Sequence, residues 1–166
     1  MKILQLSIAN WGGQSGILSD SVIVKSNTRG VSANTSGDGN PGLYLVNLTV
    51  ADHAGTGIQF RKSAVAGIAD LSNSIAVDNG KNADLRDGVS GSNNLLSGSA
   101  SFVNAEGGNY ALSPSSVAIN AGTNAPPGGL GPSDITGNTR ISESTVDIGA
   151  FEFQSDVTFT DGFESP

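Results

Sequence analysis

Leu18-Ser-Asp20-Ser-Val22-Ile-Val24, Leu45-Val-Asn47-Leu-Thr49-Val-Ala51 and Leu71-Ser-Asn73-Ser-Ile75-Ala-Val77 are three versions of one pattern. Each opens on leucine, has Asp or Asn in third place and a β-branched residue or Thr in fifth. The three leucines recur at a near-constant spacing, and a glycine-led strand start precedes each, at Gly16, Gly42 and Gly67. A second strand start follows in each unit, at Gly30-Val31, Gly57-Ile58 and, more loosely, Ala83-Asp84-Leu85. No helical apolar period runs inside the unit, so it reads as two or three short strands separated by Gly, Asn and Asp turns. A strand-only repeat of about 26 residues fits a solenoid in which each turn buries its apolar face against the next. Leucine-rich repeats have a similar period but need an L-x-x-L-x-L-x-x-N scaffold, which is missing.

Strict alternation along the strands assigns faces. Leu18, Leu45 and Leu71 form one inward column. On the middle strand Leu45, Asn47 and Thr49 read inward, while Val46, Leu48 and Val50 read outward, and three outward aliphatic side chains require cover. Asp20, Asn47 and Asn73 share one inward position, where amides bonded along the ladder relieve the cost of burying polar groups.

Composition agrees with a strand-rich chain. The 166 residues weigh 16.7 kDa and include 23 glycines, and only 14% are charged, against roughly 25% in ordinary globular chains. That disfavours helix bundles, whose faces need Glu, Lys, Arg and Leu. Disorder is disfavoured as well, because 37% of residues are hydrophobic at a net charge of −7. With 8 basic against 15 acidic residues and a pI near 4.4, the chain lacks the basic surface that nucleic acid requires. Cysteine is absent, which removes disulfides, thiolate chemistry and Cys-type zinc sites. The opening run Met1 to Trp11 has one positive charge and is interrupted by Gln5, Ser7 and Asn10, a poor signal peptide. No stretch has the length of a transmembrane helix.

The repeats resemble the coils of a right-handed parallel β-helix, the pectate-lyase-like superfold. Leu71 to Leu85 and Gly91-Ser-Asn93-Asn94-Leu95-Leu96 are similar to the last coils of secreted bacterial β-helix proteins. From Ser97 the period disappears. Phe102-Val103-Asn104, Asn109-Tyr110-Ala-Leu112, Ser113-Pro114 to Gly122, Asp134 to Arg140 and Val146-Asp147-Ile148-Gly149-Ala150-Phe151-Glu152 follow in order. Together they resemble the choice-of-anchor Q domain, with Asn120 where an Asp is usual and an extra Ser in the Ser-Pro segment. The resemblance implies a surface or secreted protein in which this module ends a β-helix and precedes an anchoring tail. Asp156 to Pro166 resembles the short "DGFE" tail of secreted proteobacterial proteins. The expected organisation is therefore three to four β-helix coils over 1–96, a non-repeat cap over 97–152 and a tail over 153–166. The cap is expected to dock on an outer face of the solenoid as well as its end. The first rung, in turn, is expected to stay open for self-association, with Trp11 as partial shield.

Lys25, Asp52 and Asp78 fall in one outward column, flanked by Ser26, His53 and Asn79. Rungs about 4.8 Å apart would let Asp52 and Asp78 share a calcium ion or act as a carboxylate pair; the plainer reading is a solvated turn column. His53, the one histidine, reads as an exposed turn residue and as a base only if Ser and an acid meet it. Asp147 and Glu152 read as carboxylates that tie turns by accepting backbone N–H groups. Trp11, Tyr44, Phe60 and Tyr110 are candidates for stacking on sugar rings, with Tyr44 and Phe60 better placed for packing. No P-loop, dinucleotide fingerprint or Thr-x-Thr array is present. The chain reads first as a non-catalytic stalk, cap and attachment portion of a secreted or surface bacterial protein, with polysaccharide or the cell envelope as partner. The alternatives are a fragment of a polysaccharide lyase or glycoside hydrolase, with Lys25, Asp52, Asp78 and His53 as its chemistry, and a glycan-binding surface module.

Overall fold

A computed structural model describes residues 6–10, 14–36, 40–63, 66–86 and 88–155, without the side chains of residues 8–10. Trp11, the N-terminal residues 1–5 and the tail 156–166 lie outside the described residues. Among the described residues every regular element is a β-strand, and no helix is long and apolar enough to cross a membrane.

Two parallel sheets share the repeat region. The long-strand sheet holds β2 (Gly16–Val24), β4 (Gly42–Ala51) and β6 (Ile68–Ser72), with β7 (Ile75–Val77) paired to the far half of β4. The short-strand sheet runs in the order β1 (Leu6–Asn10), β3 (Val31–Thr35), β5 (Thr56–Lys62), β8 (Lys81–Arg86). Parallel neighbours need a crossover, and here the strand of the other sheet serves as that crossover in place of a helix. Leu18 pairs with Leu45 and Leu45 with Leu71, so the three leucines share one row. Val31, Ile58 and Ala83 form the matching row of the second sheet. After β8 the repeat shortens, with Asp70 bridging Ser90 and Ile75 bridging Leu95.

The core between the sheets corrects the alternation argument. Leu43 and Leu45 lie in it, and so do Leu48 and Val50, packed with Val31, Ala33, Ile58 and Phe60. An unbroken pleat would put Leu45 and Leu48 on opposite faces. The phase is reset by Asn47, which sits in the left-handed region at φ 53°. Asp20 (φ 47°) and Asn73 (φ 51°) do the same on the neighbouring strands. Left-handed backbone costs most L-residues roughly 1–2 kcal/mol, and Asn and Asp tolerate it best. The expected inward column of Asp20, Asn47 and Asn73 is thus a bend. Its side chains turn away from the core toward the C-terminal segment. After the bend, Thr49, Ile75 and Val77 face outward; Val46, before it, does so as expected.

Residues 97–155 cover that outward face. Their only regular element among the described residues is the antiparallel hairpin of β9 (Phe102–Asn104) and β10 (Asn109–Leu112). Ala51, Ile75 and Val77 pack with Tyr110, Leu112, Ala118 and Ile148. The main chain reaches the sheet at Gly149, whose N–H donates to the Asn73 carbonyl at 2.8 Å, while Ala150 N–H donates to Thr49 Oγ1 at 3.0 Å. A Cβ on Gly149 would meet Ile75 Cδ1 at 2.7 Å, and its φ of 106° disfavours any L side chain. Burying an aliphatic side chain such as Val46 or Ile75 stabilises by roughly 1.5–3 kcal/mol, which is the physical reason for docking on this face.

Candidate functional site

Lys25, Asp52 and Asp78 do form one column, and it is a second bend. All three are left-handed, at φ 59°, 59° and 55°. The strands β2, β4 and β7 end there, and the chain turns toward the short-strand sheet. One residue further, Ser26, His53 and Asn79 hold the turns together in sequence. Ser26 N–H donates to His53 Nδ1 at 3.0 Å, and His53 N–H donates to Asn79 Oδ1 at 3.0 Å. Asn79 Nδ2 in turn donates to the carbonyls of Val77 at 2.8 Å and Val50 at 3.1 Å.

His53 is buried, at 2% exposure, which corrects its expected place on the surface. Its Nε2 lies 3.0 Å from the Ile23 carbonyl. With the proton on Nε2 both ring nitrogens are satisfied by main chain, leaving neither to act as a base. Among the described residues no Ser hydroxyl and carboxylate approach it in a triad.

Asp52 is engaged by the C-terminal segment. The Tyr110 hydroxyl donates to Asp52 Oδ2 at 2.5 Å. Lys25 Nζ stands 5.9 Å from the centre of the Tyr110 ring and donates to the Glu106 carbonyl at 2.8 Å. Burial pushes the Tyr110 phenol well above its usual range, reinforced by the Asp52 bond and the nearby charges of Asp52 and Asp78. A phenol so placed stays protonated and keeps donating. Tyr110, read from sequence as a sugar-stacking candidate, is 1% exposed and packs edge-on against Phe102. Phe60 is fully buried in the core, and Tyr44 lies half-buried beneath Gly128. Asp78 is exposed on the neighbouring strand. Among the described residues no three metal-ligating side chains converge, so the Asp52–Asp78 pair gains no third carboxylate for calcium.

A second polar cluster, missed in the sequence except for two carboxylates, fills the C-terminal segment. Arg140 is 1% exposed, donates to the carbonyls of Asp147 at 3.2 Å and Gly149 at 2.5 Å, and lies 3.8 Å from Asp20 Oδ1. Around it, three carboxylates accept main-chain N–H groups. Asp134 takes those of Thr136, Asn138 and Glu152, Asp147 those of Asn120 and Phe153, and Glu152 those of Ser142 and Asp147. Burial raises Asp147 and Glu152 above the ordinary carboxylate range. Burial would raise Asp134 too, but its bonds from Glu152, Thr136 and Asn138 together hold it below that range. Burial lowers the Arg140 guanidinium, opposed by Asp20, Glu152, Asp134 and Asp147. The turn-tying roles read for Asp147 and Glu152 match this geometry. The signal for Arg140 was its place in the Asp134-to-Arg140 motif, but nothing local marks it as buried. Beside the cluster lies a cleft of about 360 Å³ lined by Asn109, Leu112, Asp134, Thr136, Phe151 and Gln154. Its carboxylates are already committed to main chain.

The chain matches no family model, no curated protein and no solved structure.

Proposed function

We propose that the chain is a non-catalytic stalk-and-cap portion of a secreted or surface protein, built as a right-handed parallel β-helix with a choice-of-anchor Q-type segment docked on its flank. The reading is supported by a parallel register that follows the sequence repeat from strand to strand, with successive strands alternating between two sheets. One observation carries the non-catalytic role: the groups best suited to chemistry are spent on joining the two regions. Asp52 is bound to Tyr110, both nitrogens of His53 are bound to main chain, and the cluster carboxylates hold turns. A carboxylate committed to an internal donor is unavailable as base or nucleophile without breaking the fold.

The test is incubation of the full chain with acidic and neutral polysaccharides, with and without calcium, following unsaturated and reducing ends. No product is expected. Calcium-dependent release abolished by Asp52→Asn would overturn the reading in favour of a lyase. Self-association belongs to the same proposal, because no described strand pairs with the free edges of β1 and β2 and open parallel edges are templates for another chain. Sedimentation of the intact chain should show concentration-dependent association, and a monomer at high concentration would contradict it.

A further inference from the structure

The guanidinium of Arg140 is satisfied on one side only. Its Nη2 donates to the carbonyls of Asp147 and Gly149, whereas Nε and Nη1 are buried without an acceptor among the described residues. Nη1 faces Asp20 Oδ1 at 3.8 Å, close enough for an ion pair but too long for a direct hydrogen bond. Asn47 has the complementary deficit. Its Nδ2 donates to the same Asp20 oxygen at 3.2 Å, while its Oδ1 is buried with no donor among the described residues. Arg140 is 1% exposed and Asn47 not at all, so bulk solvent does not cover these atoms.

These orphaned atoms flank one carboxylate, at the seam where the bends of β2 and β4 meet the C-terminal segment. Buried polar atoms in folded chains are almost always paired, by water where protein groups do not reach. Here the orphans are of both kinds, donors on Arg140 and an acceptor on Asn47. Charge narrows the occupant. Asp20, Glu152, Asp134 and Asp147 all act on Arg140, so the surroundings already oppose one cation with four carboxylates, and a further anion would be repelled. A metal cation would have to face the N–H groups of Arg140. A neutral molecule that accepts on one side and donates on the other answers both deficits, and partners that share one oxygen leave room only for a very small one.

We propose that this seam is a binding site for an internal water molecule, which accepts from Arg140 and donates to Asn47 Oδ1 and the Asp20 carboxylate. Buried waters typically make about three such bonds, and one that bridges two protein groups is nearly as favourable as a direct bond between them. The water joins Asp20 of β2, Asn47 of β4 and Arg140 of the C-terminal segment, so the docking contact contains a ligand as well as protein groups. The Asp20 side chain keeps 17% exposure, and water enters from that side. The site is independent of the structural role proposed above.

The experiment is nuclear magnetic resonance on the full chain labelled with heavy nitrogen. Rotating-frame cross-relaxation between water and the Arg140 Nε–H distinguishes a close contact from proton exchange by the sign of the cross-peak. A contact peak is expected. No peak, or one of exchange sign alone, overturns the proposal on the wild-type chain without any variant. Asn47→Gly removes the acceptor and keeps the bend, because glycine adopts the φ of 53° freely. In that variant the contact peak should lose most of its intensity, and unaltered intensity would show a water that does not bridge to Asn47, against the proposal. Sodium chloride, compared with sodium sulfate at equal ionic strength, should leave the Arg140 Nε resonance in place. A saturable shift with chloride would assign the site to an anion and overturn the proposal.

Discussion

The repeat region and the C-terminal segment solve the same problem by different means. Both must satisfy main-chain polar groups beneath a continuous apolar contact. Over residues 6–95 the parallel ladders do most of this, and polar side chains supplement them, as Ser74 does with Oγ accepting from Leu48 N–H at 3.2 Å. Over residues 97–155 only one short hairpin is regular, and seven main-chain N–H groups go to the carboxylates of Asp134, Asp147 and Glu152. A strand ladder repeats and tolerates a local substitution. A carboxylate scaffold concentrates stability in a few side chains, so the second region should be the more fragile to single changes.

Arg140→Met should show the largest effect. It removes a buried cation, leaving two main-chain carbonyls without their donor and the Asp20 carboxylate with Asn47 Nδ2 in place of a cation, a loss of roughly 3–5 kcal/mol in urea unfolding. A loss below about 1 kcal/mol would mean that the cluster does not hold the segment. Next comes Tyr110→Phe, which deletes one hydroxyl and strands the Asp52 carboxylate. The expected loss is about 2 kcal/mol, with near-ultraviolet circular dichroism of the aromatic pair retained. Asp134→Asn tests the scaffold by pH. The Asp134 carboxyl is depressed in the folded chain, so its contribution is complete above its ordinary value of 3.8 and is lost as pH falls through the lower folded value. The difference between wild type and variant should therefore be full at neutral pH and shrink only on acidification below that ordinary value. A difference that grew on acidification would reverse the sign of the account. The smallest effect belongs to Asp78→Asn, an exposed bend residue replaced by one equally tolerant of left-handed backbone. Stability should change by less than about 0.5 kcal/mol, and calcium should shift the melting temperature of neither protein.

These regions also differ in how far a sequence discloses them. Leu18, Leu45 and Leu71 announce their row because a parallel register converts sequence period directly into spatial neighbourhood. The bend at Asn47 was hidden by the rule that reads faces from alternation, since one left-handed residue shifts the phase of everything after it. The clue lay in the same residues: Asp, Asn and Asn at one position of three repeats, and Asp52 and Asp78 at another, are the residue types that tolerate that backbone. Both columns are legible, the second already as a turn; what the pattern does not disclose is the phase reset at the first, which also carries one amide bond along the ladder, from Asn47 Nδ2 to Asp20 Oδ1. Asp147 and Glu152 could be read as turn carboxylates because one main-chain partner of each, Phe153 N–H and Asp147 N–H, is close in sequence. Tyr110 could not be linked to Asp52, nor Arg140 to Asp20, because neither contact, made between distant parts of the chain, leaves a local pattern.

Amide hydrogen exchange on the intact chain tests the central claim, that the C-terminal segment is an integral flank of the long-strand sheet. The N–H groups of Gly149, Ala150 and Thr123 bond to Asn73, Thr49 and Asn73 across the contact. They are predicted to exchange only on global unfolding, with the same free energy as the N–H of Leu48 in β4. Exchange of those three orders of magnitude faster than Leu48, with β4 still protected, would show a segment that opens by itself and would contradict the account.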